Sequence, residues 1–372
     1  MALGPRDTSS LVMLTGWDAT ELKNFELQDG TTYAAVVAQM NAALGALSAE
    51  ILNHPLYSGL VSYTDQPDVE YRVGQSNGMQ QHTEYGRPDH QRASTEGHML
   101  PLLSFDRALG WTWDYLRDAR MSQIEADVAD AVKDARDKWR VQILTRLLQR
   151  GDDSGSLKGL GSSGYSPGFA TAAASTNVDF TPPTYAGTSF DSDHEHYVGI
   201  TGGAFTAAVF QDAKDELREH GHEPPFDFII GPSDENTVKG LTGFVPAAES
   251  WVQYGALQDL ATFGQDAVAP GLYPVGTLES FRIWTLHGVP QYYGFGWKSY
   301  GRNSQRNPLR IRLHKGMTTP MVTAYQDNAA PGPASPLKGL YLFTEFGVGV
   351  ADRTNGTARY VNNATWADGT PT

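Results

Sequence analysis

Between Ser122 and Arg150 apolar residues recur at steps of three and four: Ile124, Val128, Ala131, Val132, Ala135, Trp139, Leu144, Leu147 and Leu148. That period lays one apolar stripe along an α-helix and does not suit a strand, whose faces repeat every two residues. A continuous helix over 122–150 would be about 43 Å long at the usual rise per residue. Its charges agree with that direction. Glu125, Asp127, Asp130, Asp134 and Asp137 crowd the first half while Lys138, Arg140, Arg146 and Arg150 occupy the second, an order complementary to the helix dipole. Ser122 followed by Glu125 three residues later offers a capping box.

A helix of that length needs something to lie on, and the rest of the chain supplies both helices and strands. A first helix is expected over 33–52, after a polar arm. The segment 60–100 mixes short alternations such as Val69, Tyr71 and Val73 with Gly, Asn, Pro and Gln-rich turns, the pattern of a two-stranded excursion that buries little of itself. Ser104 reads as the N-cap of a short helix running through Trp111 and Leu116. Glycines and serines make 151–168 a loop, and 202–220 a second amphipathic helix through Phe205, Val209, Ala213 and Leu217. Strands are expected at 226–230, 280–286, 309–313, 341–346 and 358–361. Together these elements make an α+β chain.

Several function classes are excluded by what is missing. Cysteine is absent, so there is no thiol nucleophile, thiolate metal site or disulfide. The formal net charge of -14 gives the chain no general attraction for nucleic-acid phosphates. The first residues lack a basic segment followed by an apolar core, and no apolar run reads as a membrane span. Neither a G-x-S-x-G elbow nor an H-E-x-x-H helix occurs, and GSLKGLGSSG matches no phosphate-loop spacing. No catalytic residue and no cofactor can be named.

One segment could hold a metal. Asp191, Asp193, His194, Glu195 and His196 place two imidazoles two residues apart, so His194 and His196 could face one zinc ion, although spacing identifies no distant third ligand. Solvated charges before a helix fit the same residues. His220 and His222 flank Gly221 at an expected helix end, where cationic imidazoles would interact with the terminal carbonyls.

Charge is also unevenly placed. No acid falls between Phe281 and Gln326, while Arg282, Lys298, Arg302, Arg306, Arg310, Arg312 and Lys315 do, interleaved with Tyr292, Tyr293, Phe295, Trp297 and Tyr300. A nucleic-acid groove with stacking aromatics is one reading. An intersubunit surface facing the acidic remainder of a neighbouring copy is the preferred one, with Trp139, Lys298, Arg302, Arg306, Arg310 and Arg312 as interface candidates.

Taken in order, the polar start, the excursion, GHMLPLLSFDRALGWTWDYL, the long helix, FDFIIGPSD and the HGVP turn at His287, Gly288, Val289 and Pro290 resemble the major capsid proteins of tailed bacteriophages, the HK97-like capsid fold. The resemblance covers the order of elements over most of the chain. It implies an N-terminal arm and helix over 1–59, an extended E-loop over 60–100, a P-domain over 101–225 with spine helix 122–150, an A-domain over 226–340 and returning strands over 341–372. It further implies a structural protein, not an enzyme, that joins copies of itself in pentamers and hexamers into an icosahedral shell around double-stranded DNA. Such a subunit belongs to the virion capsid, assembles in the host bacterial cytoplasm and meets portal and decoration proteins; with only about thirty residues before the first helix, a separate scaffold protein, or none, is expected in place of a fused cleavable one. No crosslinking residue is carried over. Cellular nanocompartment shells share the architecture and are the alternative within it; a metal-dependent hydrolase using His194 and His196 is the alternative outside it.

Overall fold

The structure, a computed structural model, describes residues 27–73, 94–112, 115, 118–151, 167–170, 181–191, 193–247, 272–315, 322–326 and 337–372. Its helices are α1 (Tyr33–Asn53), α2 (Pro55–Leu60), α3 (Met121–Leu148), α4 (Ala207–Glu219) and α5 (Glu235–Lys239). The early strands are β1 (Val61–Thr64), β2 (Asp68–Val73), β3 (Ser94–Met99), β4 (Leu103–Thr112), β5 (Tyr197–Gly199), β6 (Phe226–Ile230) and β7 (Val245–Pro246). The later ones are β8 (Leu272–Leu278), β9 (Phe281–Leu286), β10 (Tyr293–Trp297), β11 (Leu309–Leu313), β12 (Thr323–Gln326), β13 (Leu337–Val350) and β14 (Thr357–Tyr360). The architecture is α+β, as expected. Most of the arm over 1–30 and of the loop over 151–168 lies outside the described residues. No helix among the described residues is long and apolar enough to cross a membrane.

The chain forms two compact units. Unit 1 comprises Met1–His54, Leu102–Arg140 and Leu313–Gly347, and unit 2 comprises Pro55–Pro101, Val141–Arg312 and Val348–Thr372. Helix α3 and the long strand β13 each contribute residues to both units.

In unit 1, β13 pairs antiparallel with β4 over Leu337↔Thr112 through Phe346↔Leu103, and on its other side with β12. The short helix expected from Ser104 is therefore a strand. Burial alternates along it, with Phe105, Arg107, Leu109 and Trp111 turned inward and Ser104, Asp106, Ala108 and Gly110 exposed, a period of two that helical propensity cannot override once a partner strand is available. Residue 116 lies outside the described residues.

Helix α3 lays its stripe on this sheet. Ile124, Val128, Ala131 and Trp139 are buried, and the Trp139 ring stacks on Phe346 at 3.8 Å and 10°. The acids of its first half serve neighbours as well as the dipole. Asp127 accepts from Trp111 Nε1 at 2.9 Å, Glu125 accepts from Gln39 Nε2 at 2.5 Å, and Asp134 pairs with Arg107. From the second half Arg136 forks onto both oxygens of Glu50 in α1 at 2.7 Å. The cap sits two residues earlier than Ser122: Gln123 reaches back to the Arg120 N–H at 2.9 Å, and Asp29 accepts from the Met121 N–H at 2.8 Å. That bond, with one to Thr31, holds the Asp29 carboxyl below its ordinary range.

Unit 2 is built on a seven-stranded sheet in the order β5-β14-β10-β6-β9-β8-β7. Helix α4 covers it, and Phe205, Val209, Phe210, Ala213 and Leu217 close on Phe226, Phe228, Ile230, Phe281 and Ile283. The helix begins at Ala207 and not at Gly202, since Gly202 and Gly203 have φ of 136° and 69°. Strand β10, YGFGW, needs its two glycines: a Cβ on Gly294 would meet the Phe228 ring at 2.4 Å, and one on Gly296 would meet it at 2.9 Å. The HGVP turn joins β9 to β10 as expected, with Gly288 at φ 96°.

Candidate assembly surfaces and a histidine cluster

The excursion read over 60–100 divides in two. Its first residues are not excursion at all, for β1 pairs parallel with β11 from Val61↔Leu309 to Thr64↔Arg312, and Leu60 and Val61 are fully buried. Beyond Thr64, β2 and β3 pair only with each other among the described residues, from Asp68↔Met99 to Val73↔Ser94. Residues 74–93 lie outside the described residues. The base of this ribbon is fastened within unit 2, where Val69 is buried and His98 Nε2 lies 2.9 Å from the Val350 carbonyl.

The basic stretch is partly spent inside the subunit. Arg282 forks onto Asp227 at 2.8 and 2.6 Å, and Trp284 Nε1 donates to the same carboxylate at 3.0 Å. Lys298 Nζ donates to the Pro225 carbonyl at 3.2 Å, and burial lowers its pKa. Arg310 donates to the Gln305 carbonyl at 3.2 Å and Arg312 to that of Leu100 at 2.9 Å. Arg302 and Arg306 are exposed, Arg306 lying over the Tyr300 ring at 3.9 Å. Trp139 does not belong with them. At 1% exposure it is a core residue of unit 1, so its placement on an interface is corrected. Of the five aromatics that a stacking groove would use, Tyr293, Phe295 and Trp297 are buried along β10 and offer no faces to bases, while Tyr292 and Tyr300 are half-buried.

Histidines separated in sequence meet in unit 2. His194 and His196 lead into β5, whose three residues form the edge of the seven-stranded sheet. Backbone bonds from the His196 N–H to Ala170 and from the Ala358 N–H to His196, both 2.8 Å, fix this strand entry. His220 ends α4, and Gly221 at φ 84° turns the chain immediately after it. The Nε2 atoms of the three rings form a nearly regular triangle, with His194–His196 at 3.0 Å and both distances to His220 at 2.9 Å. Glu219 Oε1 lies 3.3 Å from His194 Nε2 and 3.7 Å from His220 Nε2.

The cluster runs from the buried interior to the surface, with the His194 and Glu219 side chains 19% and 35% exposed. His196 is fully buried, the His220 side chain is 1% exposed, and the Phe190 ring packs 4.3 Å from His220 and 4.9 Å from His194. Burial depresses all three imidazoles, His220 to about 2, and raises Glu219 to about 7. Burial thus disfavours the cationic form of His220 that capping would use. The same holds for His222; it is buried, below its ordinary pKa, and contacts Tyr300 Oη at 2.7 Å and Thr354 Oγ1 at 3.1 Å. His220 and Glu219 thus stand where ligands distant in sequence from His194 and His196 could share one ion. The only sequence signal of His220 is the paired HEH and HGH spacing, which no local period connects.

No protein-family model and no curated protein matches the sequence. Among solved structures, one from Mycobacterium phage Patience is similar over 91% of this chain and 92% of its own, at 17% identity and a TM-score of 0.64. The chain therefore has that structure's fold. Looser similarity is found to a structure from Mycobacterium phage Bobi, with 13% identity, 83% and 90% coverage and a TM-score of 0.47. The asymmetric unit of the bacteriophage PhiM1 mature capsid gives 11% identity, 83% and 87% coverage and a TM-score of 0.46.

Proposed function

We propose that this chain is the major capsid protein of a tailed bacteriophage, a structural subunit and not an enzyme. The observation that carries the reading is the β2–β3 ribbon, which pairs with no third strand among the described residues. A two-stranded ribbon alone is marginally stable in water, so a neighbouring copy is its natural support. The full-length likeness to the Mycobacterium phage Patience structure supports this reading, as does the order of elements read from sequence.

In this assignment the ribbon is the E-loop, α3 the spine helix of the P-domain, and β6 to β10 lie in the A-domain. Copies join as pentamers and hexamers into a closed icosahedral shell that encloses double-stranded DNA, made in the host bacterial cytoplasm with a scaffold and later joined by portal and decoration proteins. Closure demands several unlike contact surfaces on one subunit. Exposed Arg302 and Arg306 offer one of them to the acidic surface of a neighbour. Four protein side chains converge in the histidine cluster, which favours a closed site over the open coordination position that hydrolysis needs.

The test is to replace residues 74–93 by a short Gly-Ser turn. The shortened chain is expected to keep its secondary structure and unfolding midpoint while failing to form particles under conditions where the full chain forms them. Closed particles with the same number of subunits from the shortened chain would remove residues 74–93 from assembly.

A further inference from the structure

The nitrogen triangle in unit 2 poses a valence problem. His196 Nδ1 lies 2.6 Å from the Gly356 carbonyl, which can only accept, so Nδ1 carries the ring's proton and Nε2 presents a bare lone pair. The neighbouring nitrogens lie at 2.9 and 3.0 Å from it. A neutral imidazole nitrogen that donates cannot also accept, so no arrangement of protons turns all three edges of the triangle into hydrogen bonds. One electron-pair acceptor at the centre satisfies all three nitrogens together.

The dimensions fit a small divalent ion. Edges of 2.9–3.0 Å put the triangle's centre about 1.7 Å from each corner. A zinc ion with Zn–N bonds of about 2.0–2.1 Å would therefore lie roughly 1 Å from the plane of the three nitrogens, a steeper pyramid than a regular tetrahedral site has. Glu219 supplies a carboxylate beside His194 and His220, and the four ligand atoms all lie within 4.8 Å of one another. The Gly356 carbonyl on His196 Nδ1 is the kind of partner that fixes the orientation and tautomer of a metal-bound imidazole. Three imidazoles and one carboxylate, with no thiolate in the chain, suit zinc among the late first-row ions.

We propose that His194, His196, His220 and Glu219 form a structural zinc site that fastens the entry of edge strand β5 to the C-terminal end of α4. With four protein ligands the ion has no position left for substrate, so its work is mechanical. It ties a three-residue edge strand to the helix that covers the sheet. The inference stands apart from the shell reading and holds for a monomer as well as for a particle.

The test uses the untagged full-length chain, purified without chelator. Elemental analysis after desalting is expected to find one zinc per chain. The metal-stripped chain should bind one Co²⁺ with the visible absorption of a tetrahedral site, and Zn²⁺ should bleach it. His194→Ala and His220→Ala are expected to weaken Zn²⁺ binding by more than the roughly 10–100-fold that loss of a ligand's hydrogen-bond partner causes. Should either variant misfold, the milder Glu219→Gln, at a position 35% exposed, should still fold and show a shifted cobalt spectrum. His222→Gln, two residues from the site, should retain one zinc. A folded wild-type chain that keeps no zinc and gives no tetrahedral cobalt spectrum overturns the proposal, as do folded His194→Ala and His220→Ala variants that bind zinc like the wild type.

Discussion

Arg359 and Glu216 meet inside unit 2 at 2.5 Å, with side chains 2% and 10% exposed, and Thr357 Oγ1 donates to the same carboxylate. A buried pair of this kind need not stabilise the fold relative to apolar residues, but removing one partner strands the other charge. Glu216→Leu is therefore expected to destabilise the unassembled chain by about 3–5 kcal/mol in urea unfolding. A loss below about 1 kcal/mol would mean that water reaches the pair. Two further buried residues, His54 and His98, should set the acid sensitivity of the chain. Burial lowers each to about 3 from an ordinary value of 6.5. Above the unfolded value neither state holds the proton, so their contribution to stability is complete there. As pH falls from 6.5 toward 3 the unfolded chain binds protons that the native chain refuses, and each histidine removes up to about 1.4 kcal/mol per pH unit. His98→Gln should flatten the slope of unfolding free energy between pH 6 and pH 4; an unchanged slope would show that His98 titrates normally in the fold. Residues of this kind show least in sequence. Trp139 looked like an interface aromatic because its fate depends on Phe346, and the His194–His196–His220 triangle depends on where a helix ends.

Helix α3 was legible because its period of three and four persists for seven turns, far beyond accidental agreement. Val128 is 7% exposed on the face that meets the sheet, so Val128→Asp should sharply lower the yield of soluble folded chain. A soluble variant with an unchanged unfolding midpoint would show that this face is not a core contact. Trp139→Ala, which removes the ring stacked on Phe346 at 3.8 Å, is expected to cost about 3–5 kcal/mol. Strand β4 was misread for an equally physical reason. Its stretch SFDRALGW has helix formers, a serine where an N-cap would sit, and only ten residues in which to show a period of two. What decides it is β13, more than two hundred residues later. The ribbon fell between these cases. Its alternation announced strands, but β1 at its start could not be told from it because parallel pairing with β11 leaves no turn signal.

At the scale of the whole molecule, a chain of net charge -14 carries an exposed pair of arginines at Arg302 and Arg306 and a ribbon with no third strand among the described residues. In the capsid reading proposed above, these features face other copies of the chain. The order of elements was enough to suggest the fold that the Mycobacterium phage Patience structure shares, and β13 and α3 each contribute residues to both units. Complementary charge between copies selects register more than it supplies affinity, so the closed assembly is the decisive property. The most direct measurement is electron microscopy with particle mass determination on the full-length chain, expressed alone and with its genomic neighbours. Closed shells built of pentamers and hexamers are the predicted result. Monodisperse monomers or small dimers at every concentration, salt and scaffold condition would contradict it.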